Sequence, residues 1–306
     1  MVELDRRLAE RAAEGVTTMA PCRLVVKAGS VLETDDQQGL AHFLEHMAFN
    51  GTEHFEKNTL VDYLESIGMR FGPDLNAYTS FDQTVYELQV PTDKPKDVET
   101  GFQILRDWAF GIANTDDEVS RERGVVIEEW RLRRGAAQRI RDRQFPVLFH
   151  GSQYANRLPI GKKEILDTFP TSRLKDFYSA WYKPEMMAVV AVGPLDPQDM
   201  LRQVREHFGD LPSSASPLQR PDYPVPDHAK ALVSIVTDPE ATASSVTLYY
   251  KLPTEPLKTV ADYRNRLADE LISTMLGERL DERRQQADPP FLRAYTYKGP
   301  YVRTSD

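Results

Sequence analysis

The chain has 306 residues, enough for one large domain or two smaller ones. Apolar residues make up 41% and charged ones 28%, which supports a buried core, and a net charge of −9 without a long basic run excludes a general polyanion binder. The single Cys22 excludes an intramolecular disulfide framework, and no run approaches the length of apolar chain that spans a bilayer. Met1 to Leu8 hold no apolar leader, so the chain as written is expected in the cytoplasm.

In chain order, Leu4, Leu8 and Ala12 fall at helical spacing and predict a short charged helix over the first twenty residues. Cys22 to Ala28 reads as a strand ending at Gly29. Helical signals run from Asp35 through Phe49, closed by Asn50-Gly51, and again from Asn58 to Ile67, closed by Gly68. Strands follow over Leu75–Thr79 and Thr84–Val90. Long helical patterns cover about Lys96 to Ile112 and Asp116 to Phe149. A short helix is expected around Ile165, a longer one over Ser172–Trp181, a buried strand over Met186–Val192 and a helix over Pro197–Phe208.

The prolines from Pro212 to Pro226 then mark a linker. Beyond it, Ala231–Val236 and Ser245–Leu252 read as a strand pair, and Val260–Arg284 as a helix. That strand-then-helix order restarts the pattern of the first part. The expected organisation is a domain over 1–211, a linker over 212–228, and over 229–306 the start of a second, truncated domain of the same type.

The sharpest local feature is His42-Phe-Leu-Glu45-His46. Residues four apart on a helix stack one turn above each other, so both imidazoles reach one point, and Glu45 borders it. Two imidazoles and a carboxylate suit zinc with an open position for water. A chance His-x-x-Glu-His arises in roughly one chain of this length in a hundred. The alternative, two satisfied histidines on an amphipathic helix, is weakened by Leu40, Phe43, Leu44, Met47 and Phe49, which leave little polar face.

A catalytic zinc asks for a third protein ligand. His54 reads as a surface loop residue, and His150, His207 and His228 as structural. Acidic candidates lie on the charged helix in Glu122, Glu128 and Glu129. Glu122 and Glu129 are two turns apart on one face, but amphipathicity leaves Glu128 and Glu129 both open. The arginines from Arg131 to Arg143 read as a solvated face rather than a nucleic-acid surface.

The run Gly39-Leu-Ala-His42-Phe-Leu-Glu45-His46-Met-Ala-Phe49-Asn-Gly51-Thr resembles the pitrilysin-like (insulinase-type) zinc metallopeptidases. Asn76-Ala77-Tyr78-Thr79, Thr84 to Pro91 and Arg121 to Trp130 resemble their bacterial processing-protease branch. The resemblance implies an α+β fold, a mixed sheet with helices packed on one face, repeated as a second domain that is incomplete here. It implies one zinc per chain on His42, His46 and Glu129, with Glu45 as general base and Glu122 supporting the site from behind. It implies a peptide laid as an extra strand along Leu75–Thr79, with Asn76, Ala77, Tyr78 and Phe49 as candidate substrate contacts. A second peptidase half or a partner subunit would close the chamber; neither nucleic acid nor membrane is expected as a partner. Relatives are often periplasmic. A non-catalytic, peptide- or partner-binding subunit of a paired peptidase complex is the alternative function.

Overall fold

The structure is a computed structural model, and it describes residues 19–57, 59–70, 72–211, 219–253, 255, 257–299 and 302. The helix expected over Leu4 to Ala12 lies outside the described residues, as does part of the expected linker, 212–218. The chain divides into two compact units, 1–244 and 245–306.

In the first unit, strands β1 (Met19–Val26), β2 (Leu75–Thr79), β3 (Thr84–Pro91) and β4 (Met187–Ala191) form one sheet in the order β2-β3-β1-β4. The α+β class holds. All three pairings are antiparallel, so among the described residues the expected mixed sheet is an antiparallel one. β1 alternates as its sequence dictates: Ala20, Cys22, Leu24 and Val26 are buried, while Arg23 points to the other face and pairs with Glu87 at 2.9 Å. β2 forms one edge of these strands.

Helices α1 (Leu40–Met47), α2 (Thr59–Ser66), α3 (Pro95–Phe110), α4 (Asp116–Leu132), α5 (Ala136–Leu148), α6 (Lys163–Thr168), α7 (Thr171–Trp181) and α8 (Pro197–Phe208) complete the unit. α3 packs on β1 and β3, and α1 packs on β2 and β3. Val98, Phe102, Leu105 and Trp108 form the sheet-facing stripe of α3. Trp108 is the centre of this layer. Its ring stacks on Tyr86 of β3 at 5.3 Å, and its Nε1–H donates to Ala48 O at 3.1 Å, just past the end of α1. The sheet and the metal-motif helix therefore share one buried side chain.

The helix expected over Asp116–Phe149 is two. Its break at Arg133–Gly135 puts Gly135 in an extended conformation at the start of α5; the uninterrupted charge of this stretch hides the break. The helix expected from Asp35 likewise splits into a single 3₁₀ turn, Asp35–Gln37, and α1, because Gly39 takes a φ of +104° between them.

The expected strand pair at Ala231–Val236 and Ser245–Leu252 is not formed among the described residues. Ile235, Val246 and Tyr250 are 88%, 93% and 83% exposed, so the alternation that reads as a strand has no covering layer to make it one. In the second unit, α9 (Val260–Arg284) opens with a capping box of Thr259 and Asp262 and buries no residue. Among the described residues, no helix is long and apolar enough to cross a membrane.

Replacing Trp108 with Phe keeps an aromatic ring but strands the Ala48 carbonyl, and should lower stability by about 2 kcal/mol in urea unfolding. An unchanged unfolding midpoint would show that this side chain does not tie α1 to the sheet.

Candidate metal centre

α1 has two faces of different chemistry. Leu40, Phe43, Leu44 and Met47 are buried in the core, while His42, Glu45 and His46 recur at i, i+3 and i+4 on the opposite side. α4 crosses that side and contributes a stripe of its own, in which Val119, Glu122 and Val126 are buried and Glu129 follows one turn later.

The result is a cluster of His42, His46 and Glu129 whose ligand atoms all lie within 4.8 Å of one another. Glu129 Oε2 sits 3.1 Å from His46 Nε2 and 3.6 Å from His42 Nε2. Its other oxygen, Oε1, pairs with Arg133 at 2.5 Å, which leaves Oε2 free to face the histidines. Glu128 turns away and pairs with Arg131 at 2.9 Å on the exposed side of α4. On His46, Nδ1 meets Glu122 Oε1 at 2.9 Å, and Asn50 Nδ2 donates to Glu122 Oε2 at 2.6 Å. Glu45 lies beside the pair and accepts a hydrogen bond from Thr79 Oγ1 of β2 at 2.5 Å.

The electrostatics match an anionic pocket waiting for positive charge. Burial opposes protonation of His46, but hydrogen bonds to Glu122 and Glu129 outweigh it and push its pKa up to about 9. The hydrogen bond from His46 holds Glu129 down to about 2 despite partial burial. Burial, joined by the neighbouring His46, lowers His42 to about 4, so that ring is neutral at pH 7. Burial raises the Glu45 carboxyl, and the Thr79 hydrogen bond only partly offsets it.

His42 supplies the test of fit for a cation. It is 7% exposed, its Nδ1 has no hydrogen-bond partner, and its Nε2 lies beyond hydrogen-bonding distance of Glu129. Nε2 makes no hydrogen bond yet faces Glu129 Oε2 and His46 Nε2, so its lone pair is available to a cation held between these three atoms. Neutral nitrogen and carboxylate oxygen donors suit zinc.

Three of the remaining histidines are bonded away from the cluster. His54 Nδ1 is bonded to Asp107 at 2.8 Å, His207 to Gln203 O and His228 to Lys230 O. Of the candidate substrate contacts, Phe49 packs its ring on Trp108 at 5.5 Å, and Asn76 and Tyr78 are exposed on β2, on the face opposite Ala77 and Thr79. None of these joins the cluster. Asn50, Thr79 and Arg133 do touch it, although Asn50 reads in sequence only as a turn residue, Thr79 as part of a strand and Arg133 as part of a solvated stripe.

Residues 12–143 match the family described as Insulinase (Peptidase family M16), and residues 168–293 match the Peptidase M16 inactive domain. The chain is 42% identical over 274 residues to the Zinc protease PQQL-like of Arabidopsis thaliana, covering 89% of this chain and 29% of that one. It is 34% identical over 261 residues to the Probable zinc protease PqqL of Haemophilus influenzae, covering 85% and 28%. The crystal structure of the first half of the periplasmic protease PqqL from Escherichia coli superposes with a TM-score of 0.79 at 31% identity, over 87% of this chain and 57% of that one. The chain thus spans under a third of the length of these curated relatives. With two consecutive matches in one order and the corresponding fold, the chain belongs to the insulinase or pitrilysin-like peptidase family, M16.

Proposed function

We propose that this chain carries the zinc centre of a metalloendopeptidase that hydrolyses small or unfolded peptides. The observation that carries this proposal is the meeting of His42, His46 and Glu129 from two crossing helices with Glu45 beside them. His42 and His46 would hold the ion through Nε2 and Glu129 through Oε2, with Glu122 fixing the His46 ring from behind. Zinc in that position supplies Lewis acidity, which polarises a peptide carbonyl and lowers the pKa of water.

The protein's own part is proton handling and alignment. Glu45, ionised beside a cation, takes the proton from the attacking water and returns it to the leaving amine. Thr79 restrains the Glu45 carboxylate in one orientation while leaving its other oxygen for that task. The edge of β2 bearing Thr79 receives the peptide as an added strand, so that main-chain pairing aligns the scissile bond with little demand on sequence. Residues 229–306 belong to a second domain of the same type, and a further peptidase half or a partner subunit closes the chamber.

Purified protein is expected to bind about one zinc by elemental analysis. His46→Ala and Glu129→Ala should lose it, and Glu45→Gln should retain it. Hydrolysis of a quenched unstructured peptide, weak for this chain alone, should be chelator-sensitive and fall by about 10²–10⁴-fold in Glu45→Gln. Zinc-free wild-type protein would sink the proposal, and hydrolysis unaffected by Glu45→Gln would remove Glu45 from the mechanism.

The proton on His46 also predicts a pH dependence. With its pKa raised to about 9, the metal-free site carries one proton at neutral pH that zinc must displace. Zinc binding should therefore tighten as pH rises, by about tenfold per unit between pH 6 and 8, levelling off towards pH 9. Titration against a chromophoric chelator measures the slope; a flat profile would place that proton elsewhere.

A further inference from the structure

The helix that carries the metal motif starts without a cap of its own. Its N-cap is Gly39, which has no side chain to accept the amide groups of the first turn. Those groups are met from upstream: Glu33 Oε2 accepts the Gly39 N–H at 3.0 Å, and Oε1 accepts the Ala41 N–H at 2.8 Å. Glu33 is 2% exposed, so both bonds are shielded from solvent.

Glu33 is itself held from two sides. Arg157, also buried, donates from Nε to Glu33 O at 2.9 Å and from Nη2 to Asp35 Oδ1 at 2.7 Å. Ser30 Oγ donates to Arg157 O at 2.6 Å and closes the loop. Across the turn, Gly161 approaches so closely that a Cβ on it would lie 2.3 Å from Gly39 Cα. The start of α1 is thus clamped between Glu33 and the Gly161 backbone.

The two histidines differ in how they are oriented. His46 is fixed by the side chain of Glu122, whereas neither nitrogen of His42 is hydrogen-bonded. His42 follows directly on Ala41, so the direction of its ring derives from the first turn of the helix. We propose that Glu33 is a positioning residue for the metal centre: its buried carboxylate fixes the first turn of α1 and so aims the unanchored His42 ring at Glu129. The inference rests on the zinc site proposed above. It extends that site to a group with no contact to the ligands.

The test uses Glu33→Gln, which keeps the shape but sets an amide N–H₂ against a backbone N–H, and Glu33→Ala, which removes both bonds. Hydrogen exchange of the metal-free full chain should quicken at least tenfold in peptides spanning 39–47 while peptides of β1 and β3 stay as in wild type. Zinc affinity should fall about 10–100-fold in the same variants, as for other groups that orient ligands from behind. Exchange over 39–47 that does not change overturns the proposal. So does loss of protection across the whole chain, which marks a general structural role, and so does zinc affinity within twofold of wild type. Wild-type protein that binds no zinc instead removes the metal site itself, and the exchange result then still reports on the hold of Glu33 over α1.

Discussion

Everything at this centre depends on the contact between α1 and α4, because it forces His46 between two carboxylates. Glu122 lies on one ring nitrogen and Glu129 on the other, at 2.9 and 3.1 Å. Two carboxylates brought this close to a half-buried ring need a positive charge between them. In the metal-free protein a proton on the imidazole provides it, which is why His46 rises to about 9 while Glu129 falls to about 2. A divalent cation would answer the same demand with more charge, and it would also engage His42, which the proton does not reach. The rest of the fold thus holds three potential ligand atoms within 4.8 Å of one another.

What holds it is the division of labour along an eight-residue helix. Leu40, Phe43, Leu44 and Met47 anchor one side in the core, and burying each of the larger ones contributes about 1.5–3 kcal/mol. That apolar stripe offsets the desolvation of three ionisable groups on the other side. Trp108 closes the far end through Ala48, and Glu33 closes the near end through Gly39 and Ala41. A short helix has little cooperativity of its own, so both ends must be fastened by tertiary contacts.

The sequence shows those parts of the site that are governed by local periodicity. His42, Glu45 and His46 share one helical turn, and their common face follows from spacing alone. Glu122 and Glu129 share a face for the same reason. The choice of Glu129 over Glu128 needs the crossing direction of α4, a property of packing between distant segments. Thr79, Arg133 and Glu33 are likewise invisible, since each acts through a contact whose partner lies elsewhere in the chain or in a turn of unusual geometry. Strands β1 and β3 were legible because their apolar positions coincide with a real covering layer, whereas β4, read as buried from its apolar run, holds no buried residue. At Val233, Ile235, Val246 and Leu248 the same alternation stands exposed, and a pattern without a partner does not make a sheet.

The two restraints on α1 also connect the His42, His46 and Glu129 cluster to the edge strand β2. Glu45 is bonded to Thr79 on β2, and Thr79 pairs with Thr84 in the hairpin, whose Oγ1 donates to Ala28 O. Ala28 and Gly29 lead directly into the segment bearing Ser30 and Glu33, which returns to cap α1. Glu45, the sheet edge and the helix cap are thus linked through hydrogen bonds and the short chain segment from Ala28 to Glu33. A strand added to β2 would stiffen the edge at Thr79 and reduce the freedom of the Glu45 carboxylate. Under the proposed function, pairing of a peptide main chain with β2 and alignment of Glu45 would draw on the same contact. Such a coupling would favour an extended peptide over a folded one, because only a free backbone can supply strand pairing at the β2 edge.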